Sequence, residues 1–271
     1  MQIYYIIKRC FFLTTLAISI SSCVSNPYAP SNKLYKQQAK EFSNIIRKPP
    51  LQTEDKNWIG TTNFNLRKAN YVILHHTAQK SAEQTLATFT KQQSQVSAHY
   101  VISKSGQVYH ILNNYLRAWH SGVGKWGNET DINSASIGIE LDNDGLSPFS
   151  DSQINSLIQV LTLLKKDYNI PTANFIGHAD IAPSRKVDPN ANFPWKKLSE
   201  KGFGNWPDSL LIDSVPETFN PQEALRIIGY DTSNLTAAIT AFKLHFIQTD
   251  ISPILTEEDK RVLLNLYKKY L

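Results

Sequence analysis

Cysteine is almost missing. The 271 residues hold two, Cys10 and Cys23, and none follows position 23. Beyond that point no disulfide and no thiolate metal site can form within the chain. Long apolar runs are missing too: none reaches the roughly 20 residues that cross a bilayer as a helix. Glycine is sparse, at 11 residues, and there is no internal period, which excludes collagen-like, coiled-coil and repeat architectures. Charge of one sign is in only small excess. Lys and Arg number 28 against 23 Asp and Glu, a formal net charge of +5. No basic block of the nucleic-acid-binding kind occurs. What is present can fold: 41% hydrophobic and 19% charged residues suffice for a real core and exclude a disordered chain.

Lys8 and Arg9 precede an apolar stretch over residues 10–20, the length of a signal-peptide core and too short to span. It runs into Ile20-Ser21-Ser22-Cys23, which resembles a bacterial lipobox; the competing reading is an ordinary signal peptide with a chance cysteine. The resemblance implies loss of residues 1–22 and a lipid on Cys23. Val24, not Asp, follows, which implies sorting to the outer membrane, facing the periplasm. Residues 24–32, with Pro27 and Pro30, read as a tether, and the lipidated N-terminus and tether together take up residues 23–57. Residues 33–47 form either a short helix, with Leu34, Phe42, Ile45 and Ile46 apolar, or more spacer before Pro49-Pro50.

From residue 58 to 195 the pattern is that of an α/β domain. Tyr71-Val72-Ile73-Leu74 reads as a buried strand. Ser81 and Gln84 have capping-box spacing ahead of a helix with Leu86 and Phe89. Residues 99–102 and 107–111 flank a Lys104-Ser105-Gly106 turn, as in a hairpin. In residues 136–142, Ile137, Ile139 and Leu141 point one way and Ser136, Gly138, Glu140 and Asp142 the other. Residues 150–166 read as the clearest helix, with a Ser150/Gln153 box and Lys165 and Lys166 complementing its C-terminal dipole. Phe175-Ile176-Gly177 reads as a strand end, and residues 196–219 as an irregular connector. Residues 220–271 then predict three helices, capped at Asn220 and Thr256. A module this small lies near the lower limit of independent stability and is expected to pack on the first domain.

Of seven histidines, His110 and His245 fit packing or surface roles. His75 and His178 each follow directly on a predicted strand, where a side chain is held rigidly at an open edge. Asp188 lies ten residues after His178, beyond an Ala182-Pro183 turn that can bring the chain back. Two imidazoles and a carboxylate supply three N/O ligands, the set with which zinc keeps a fourth position open for chemistry. His76 could exchange roles with His75, but in a strand the two face opposite ways. Glu140 is either a solvated residue on an exposed strand face or a general base beside the metal. Lys186 is either a surface lysine or, sharing a face with Asp188 two residues on, a stabiliser of an oxyanion.

Five motifs then occur in order. They are Val72-Ile73-Leu74-His75-His76-Thr77-Ala78, Ser97-Ala98-His99-Tyr100-Val101-Ile102, Arg117-Ala118-Trp119-His120-Ser121-Gly122, Ser136-Ile137-Gly138-Ile139-Glu140-Leu141, and Gly177-His178-Ala179-Asp180-Ile181-Ala182-Pro183 through Asp188-Pro189. This ordered set resembles the type 2 family of zinc-dependent N-acetylmuramoyl-L-alanine amidases. With the lipobox and the C-terminal helices, the chain is similar to that family's outer-membrane lipoprotein branch. The resemblance implies a central mixed β-sheet flanked by helices, as in peptidoglycan-recognition proteins, and a peptidoglycan-binding-like C-terminal domain. It implies one Zn2+ per chain on His75, His178 and Asp188, Glu140 as catalytic carboxylate, and Lys186 as oxyanion stabiliser. Trp119, His120 and His76 fall where the family lines its substrate groove. Asn190 stands where relatives often have Gly, and Asn tolerates a left-handed backbone. The implied partners are peptidoglycan or muropeptides, 1,6-anhydro forms among them, and the membrane through the lipid. No nucleic acid is involved, and a monomer is expected. The competing function is a recognition lipoprotein that binds peptidoglycan without cleaving it.

Overall fold

The computed structural model describes residues 26–47, 63, 65–208 and 214–271. The chain divides into two compact units, residues 1–58 and 59–271. The signal-peptide and lipidation readings at residues 1–23 lie outside the described residues. Among these no helix is long and apolar enough to cross a membrane.

The described part of the first unit is helix α1 (Ala29–Ile46), which begins four residues before the expected helix. Pro30 falls in its first turn, where a fixed φ and a missing N–H suit a helix start. The proline read as tether opens the helix instead.

The second unit is built on strands β1 (Tyr71–His76), β2 (Tyr100–Ile102), β3 (Val108–His110), β4 (Ser136–Leu141) and β5 (Phe175–Gly177), in the order β3-β2-β4-β1-β5. Only β3 runs antiparallel, closing one edge as the hairpin partner of β2. The helices are α2 (Ala82–Phe89), α3 (Ile132–Ala135), α4 (Asp151–Tyr168), α5 (His178–Ile181), α6 (Trp195–Ser199), α7 (Pro221–Ile228), α8 (Leu235–Phe246) and α9 (Glu257–Lys269).

The period of two along each strand decides what each face does. In the β1–β4 register His75 lies beside Glu140, and Ile73 beside Gly138. Val72, Leu74, Ile137, Ile139 and Leu141 face the other way, into a core with Ile154, Leu157, Leu161 and Leu164 of α4. Ser150 caps α4, its Oγ accepting the Gln153 N–H. The other half of the expected box is missing, because Gln153 is fully buried and its Nε2 donates to the carbonyls of Ile102 and Asp142. This fastens α4 to the ends of β2 and β4. Lys165 is likewise drawn off the helix end, its Nζ donating to Thr172 and the Gly202 carbonyl.

The opposite face is shared. Ile73 and Ile176 pack in one core with Leu225, Ile228, Phe242, Leu263 and Leu266 of α7, α8 and α9. Each such side chain contributes roughly 1.5–3 kcal/mol on burial, so the C-terminal helices gain from the sheet what a free module this small lacks. Asn220 and Thr256 cap α7 and α9 as their sequence implies. The start of the expected connector is α6, whose Leu198 joins the α4 core behind Trp195.

Candidate active site

The site lies at the carboxyl ends of β1, β4 and β5, the edge at which open α/β sheets hold ligands. His75 is the fifth residue of β1, and His178 follows β5 directly as the first residue of α5. Asp188 returns beside them on the loop after α5. His75 Nδ1 and His178 Nδ1 are 2.9 Å apart, and Asp188 Oδ2 is 3.1 Å from each. All three residues are buried.

What surrounds the imidazoles decides which nitrogen carries the proton. His178 Nε2 lies 2.9 Å from the Ser121 carbonyl oxygen, which can only accept. A neutral His178 therefore has its proton on Nε2 and a bare Nδ1. For His75 the argument runs through three residues. Ser136 Oγ donates to the Ile132 carbonyl and so accepts from His120 Nε2, 3.2 Å away. His120 then presents a bare Nδ1 to His75 Nε2, also at 3.2 Å. His75 in turn carries its proton on Nε2 and leaves Nδ1 bare.

With both rings neutral, three acceptor atoms converge with no proton among them, an arrangement that a cation relieves. An ion with bonds of about 2.0–2.2 Å in tetrahedral geometry holds its ligands ~3.3 Å apart. The separations of 2.9 and 3.1 Å lie close to that. Two imidazole nitrogens and a carboxylate are a donor set that zinc accepts, and His75, His178 and Asp188 fit such an ion.

Burial above all lowers His75 to about 4, which keeps its ring unprotonated at neutral pH. Burial acts on His120 in the same sense and holds it well below the ordinary value. For Asp188 burial alone would raise the carboxyl. A proton on His178 or His75 facing Oδ2, standing where a metal cation would, outweighs it and holds the group below the usual carboxylate range.

Glu140 stands beside His75 across the β1–β4 pair. Part of its side chain reaches the surface, but Oε2 is buried without a hydrogen-bond partner. Burial, followed by the charge of Asp188, raises the carboxyl to about 8, with Lys186 opposing. Lys186 is half-buried, and its charge reaches His75, His76 and Glu140.

The three expected groove residues diverge. Trp119 is exposed, its ring covered on one side by the Arg117 guanidinium at 4.1 Å. His120, the next residue, turns inward and is buried behind His75, 3.2 Å from its Nε2, where it supports His75 and does not line a groove. It fits only because Gly138 has no side chain: a Cβ there would lie 2.4 Å from the His120 ring. His76 points away from the three converging atoms, and its Nδ1 accepts the Asn190 N–H at 3.1 Å. Asn190 is not among the positive-φ residues, contrary to its expected left-handed role. Its Nδ2 donates to Asn143 Oδ1 at 3.2 Å, a side-chain tie that Gly could not make.

Sequence reasoning missed Ser136 and Asn133. Asn133 Oδ1 accepts the N–H groups of both His120 and Ser121, at 3.0 Å each. It thereby fixes the segment that supports both imidazoles. The signal was a polar residue at the start of an otherwise apolar strand, Ser136, which carries little weight without its partners.

Two imidazoles and an aspartate that could hold a metal ion, with a half-buried glutamate beside them, are the parts a hydrolase needs. Comparison with known proteins narrows the class. Residues 65–191 match the Amidase_2 family, N-acetylmuramoyl-L-alanine amidase. The chain is 31% identical over 230 residues to the N-acetylmuramoyl-L-alanine amidase AmiD of Escherichia coli, covering 73% of this chain and 82% of that one. It is 38% identical over 106 residues to the 1,6-anhydro-N-acetylmuramyl-L-alanine amidase AmpD of Haemophilus influenzae, covering 39% of this chain and 58% of that one. The structure of E. coli AmiD with anhydro-N-acetylmuramic acid-L-Ala-D-γ-Glu-L-Lys superposes with a TM-score of 0.69 at 29% identity, covering 80% of this chain and 97% of that one. AmpDH3 from Pseudomonas aeruginosa gives the same TM-score and identity, covering 81% of this chain and 99% of that one. The chain belongs to the Amidase_2 family of N-acetylmuramoyl-L-alanine amidases, enzymes that hydrolyse the amide between N-acetylmuramic acid and L-alanine.

Proposed function

We propose that His75, His178 and Asp188 hold one zinc ion, and that the enzyme so loaded cleaves muramoyl-L-alanine amides in peptidoglycan and in released muropeptides, 1,6-anhydro forms included. The observation that carries this reading is the convergence of three proton-free acceptors beside Glu140. The anhydromuramoyl peptide bound to E. coli AmiD supports the anhydro substrate. Zinc held this way supplies Lewis acidity, which polarises a carbonyl and acidifies water.

The chain's own groups do the rest. Glu140 takes the proton of the attacking water and returns it to the leaving amine of L-alanine. Burial raises its carboxyl in the metal-free site, and the charge of a bound ion would bring it back towards the ionised form that a general base needs. The Lys186 ammonium stabilises negative charge developing on the carbonyl oxygen. Trp119 offers an exposed apolar face to sugar or peptide. Cys23 carries the lipid that holds the enzyme on the outer membrane facing the periplasm; the support is Ile20-Ser21-Ser22-Cys23 after a short apolar run.

The test is to purify the chain, measure its zinc, and incubate it with muramoyl- and anhydromuramoyl-tripeptide with and without a chelator. About one zinc per chain and chelator-sensitive peptide release are expected. Bound zinc without cleavage of either substrate would favour a recognition protein. A second variant probes the support of His75. Gly138→Ala drives a methyl group into His120 and is expected to weaken zinc binding about ten-fold. Chelator competition measures this, and an unchanged affinity would show that His120 contributes nothing to the site.

A further inference from the structure

Asp180 lies two residues after His178 and is buried, and among the described residues no Lys or Arg pairs with it. Its Oδ2 accepts the Gly177 N–H at 2.7 Å, closing the turn that presents His178. The same oxygen accepts from Nδ1 of His245, on α8, at 2.8 Å. Its Oδ1 accepts from the hydroxyl of Tyr230, just after α7, at 2.7 Å. Three donors satisfy this carboxylate, and two of them come from the C-terminal helices.

Two further ties reach the neighbouring segments. Gln248, beyond α8, donates through Nε2 to the carbonyls of Ala191 and Phe193, at 2.8 and 2.7 Å, on the loop that follows Asp188. It does so from a left-handed backbone, φ 66°, which a non-glycine residue adopts only under constraint. The Gly229 carbonyl accepts the Gly127 N–H at 2.7 Å, and Trp126 packs where a Cβ of Gly229 would stand, 2.4 Å away. Trp126 belongs to the loop containing Ser121, whose carbonyl fixes the His178 tautomer. His245 is itself stacked on Trp195, with ring centres 3.8 Å apart.

We propose that the three C-terminal helices act as a brace for the metal site, with Tyr230, His245 and Gln248 as positioning residues for His178 and Asp188. Apolar packing alone would hold these helices on the sheet. The hydrogen bonds add direction: each ends on the backbone, or on a residue fixing the backbone, of a segment carrying or orienting a ligand. The helices are thereby part of the active site's support, whatever they do towards the cell wall. The inference rests on His75, His178 and Asp188 holding zinc.

The experiment uses the full chain. Tyr230→Phe and His245→Leu each remove one donor to Asp180 while keeping most of the side-chain volume. His245→Asn restores a donor close to the position of Nδ1. Leu263→Ala, on α9 in the same core but outside the hydrogen bonds to Asp180, serves as the control for simple loss of stability. For each protein the zinc affinity is measured by chelator competition, the site geometry by the visible spectrum of the cobalt-substituted form, and the zinc-free melting temperature separately. Tyr230→Phe and His245→Leu are expected to lose about ten-fold in zinc affinity, the range seen when the outer support of a metal site is cut, with an altered cobalt spectrum. His245→Asn recovers both, and Leu263→Ala lowers the melting temperature with the cobalt spectrum unchanged. If Tyr230→Phe and His245→Leu bind zinc as tightly as the parent and give its cobalt spectrum, the brace is wrong. If the parent binds no zinc, the assignment of the ligands fails instead.

Discussion

Glu140→Gln is expected to retain zinc and lose turnover by about 10²–10⁴-fold, the usual contribution of a positioned general acid–base. Glutamine keeps the shape but can neither take a proton from water nor deliver one to the amine. Its effect falls on kcat, because Glu140 supplies none of the three converging ligand atoms. A second readout separates this from damage to the fold. In the zinc-free protein Glu140 stays protonated until about pH 8, whereas in the unfolded chain it ionises near 4.5. A carboxyl raised on folding contributes stability that is present below its unfolded value and lost as pH climbs through its folded value. Above pH 6.5, where His75 and His99 no longer titrate in either state, the zinc-free parent should therefore melt progressively lower up to pH 8, and Glu140→Gln should flatten that decline. Near-normal turnover in the variant would remove Glu140 from the reaction.

Acid should unfold the zinc-free protein steeply. Burial lowers both His75 and His99 to about 4, against 6.5 in the unfolded chain. Two bonds fix the tautomer of the neutral His99 ring, Nε2 donating to the Leu116 carbonyl and Nδ1 accepting the Gly138 N–H, while burial supplies the lowering. A histidine lowered on folding binds its proton first in the unfolded chain. It costs nothing above pH 6.5, and the cost grows as pH falls towards 4. Each of the two then costs roughly 3 kcal/mol. Together that is comparable with the whole stability of an ordinary domain, about 5–15 kcal/mol. The melting temperature measured from pH 7.5 to 4.5 should fall steeply below pH 6. His99→Gln should start lower, having lost a buried ring, but fall with a shallower slope. An unchanged slope would mean that His99 is not a group whose titration drives the unfolding.

The elements legible in the sequence were those with a local cause. His75 and His178 stood out because each ends a short apolar run, and α7 and α9 because Asn220 and Thr256 cap them. The face assignment of residues 136–142 followed from the strand period alone, and the core agrees with it. What escaped depends on partners far apart in the chain. His120 looks like a groove residue in its motif. Only the pairing of β1 with β4, and the empty space at Gly138, turn it under His75. His245 reads as ordinary helix packing until α8 is seated on Asp180, 65 residues away. Gln153 has the spacing of a capping box, but burial against β2 and β4 turns its amide N–H groups onto the Ile102 and Asp142 carbonyls, and its oxygen does not accept the Ser150 N–H that would close the box. Asn190 and Pro30 were read for backbone tolerance and for spacer character. A side-chain hydrogen bond and a helix start decided them instead.

The ligand set has a consequence for chemical durability. Peroxide and hypochlorous acid strip zinc from cysteine sites by oxidising the sulfur. Here the candidate ligands are nitrogen and oxygen only. The wider chain offers no other such target: the single methionine is Met1, and the two cysteines are Cys10 and Cys23, so residues 24–271 contain no sulfur atom at all. A metal held on such ligands would have no thiolate to lose in an oxidative burst that disables a thiolate-ligated counterpart.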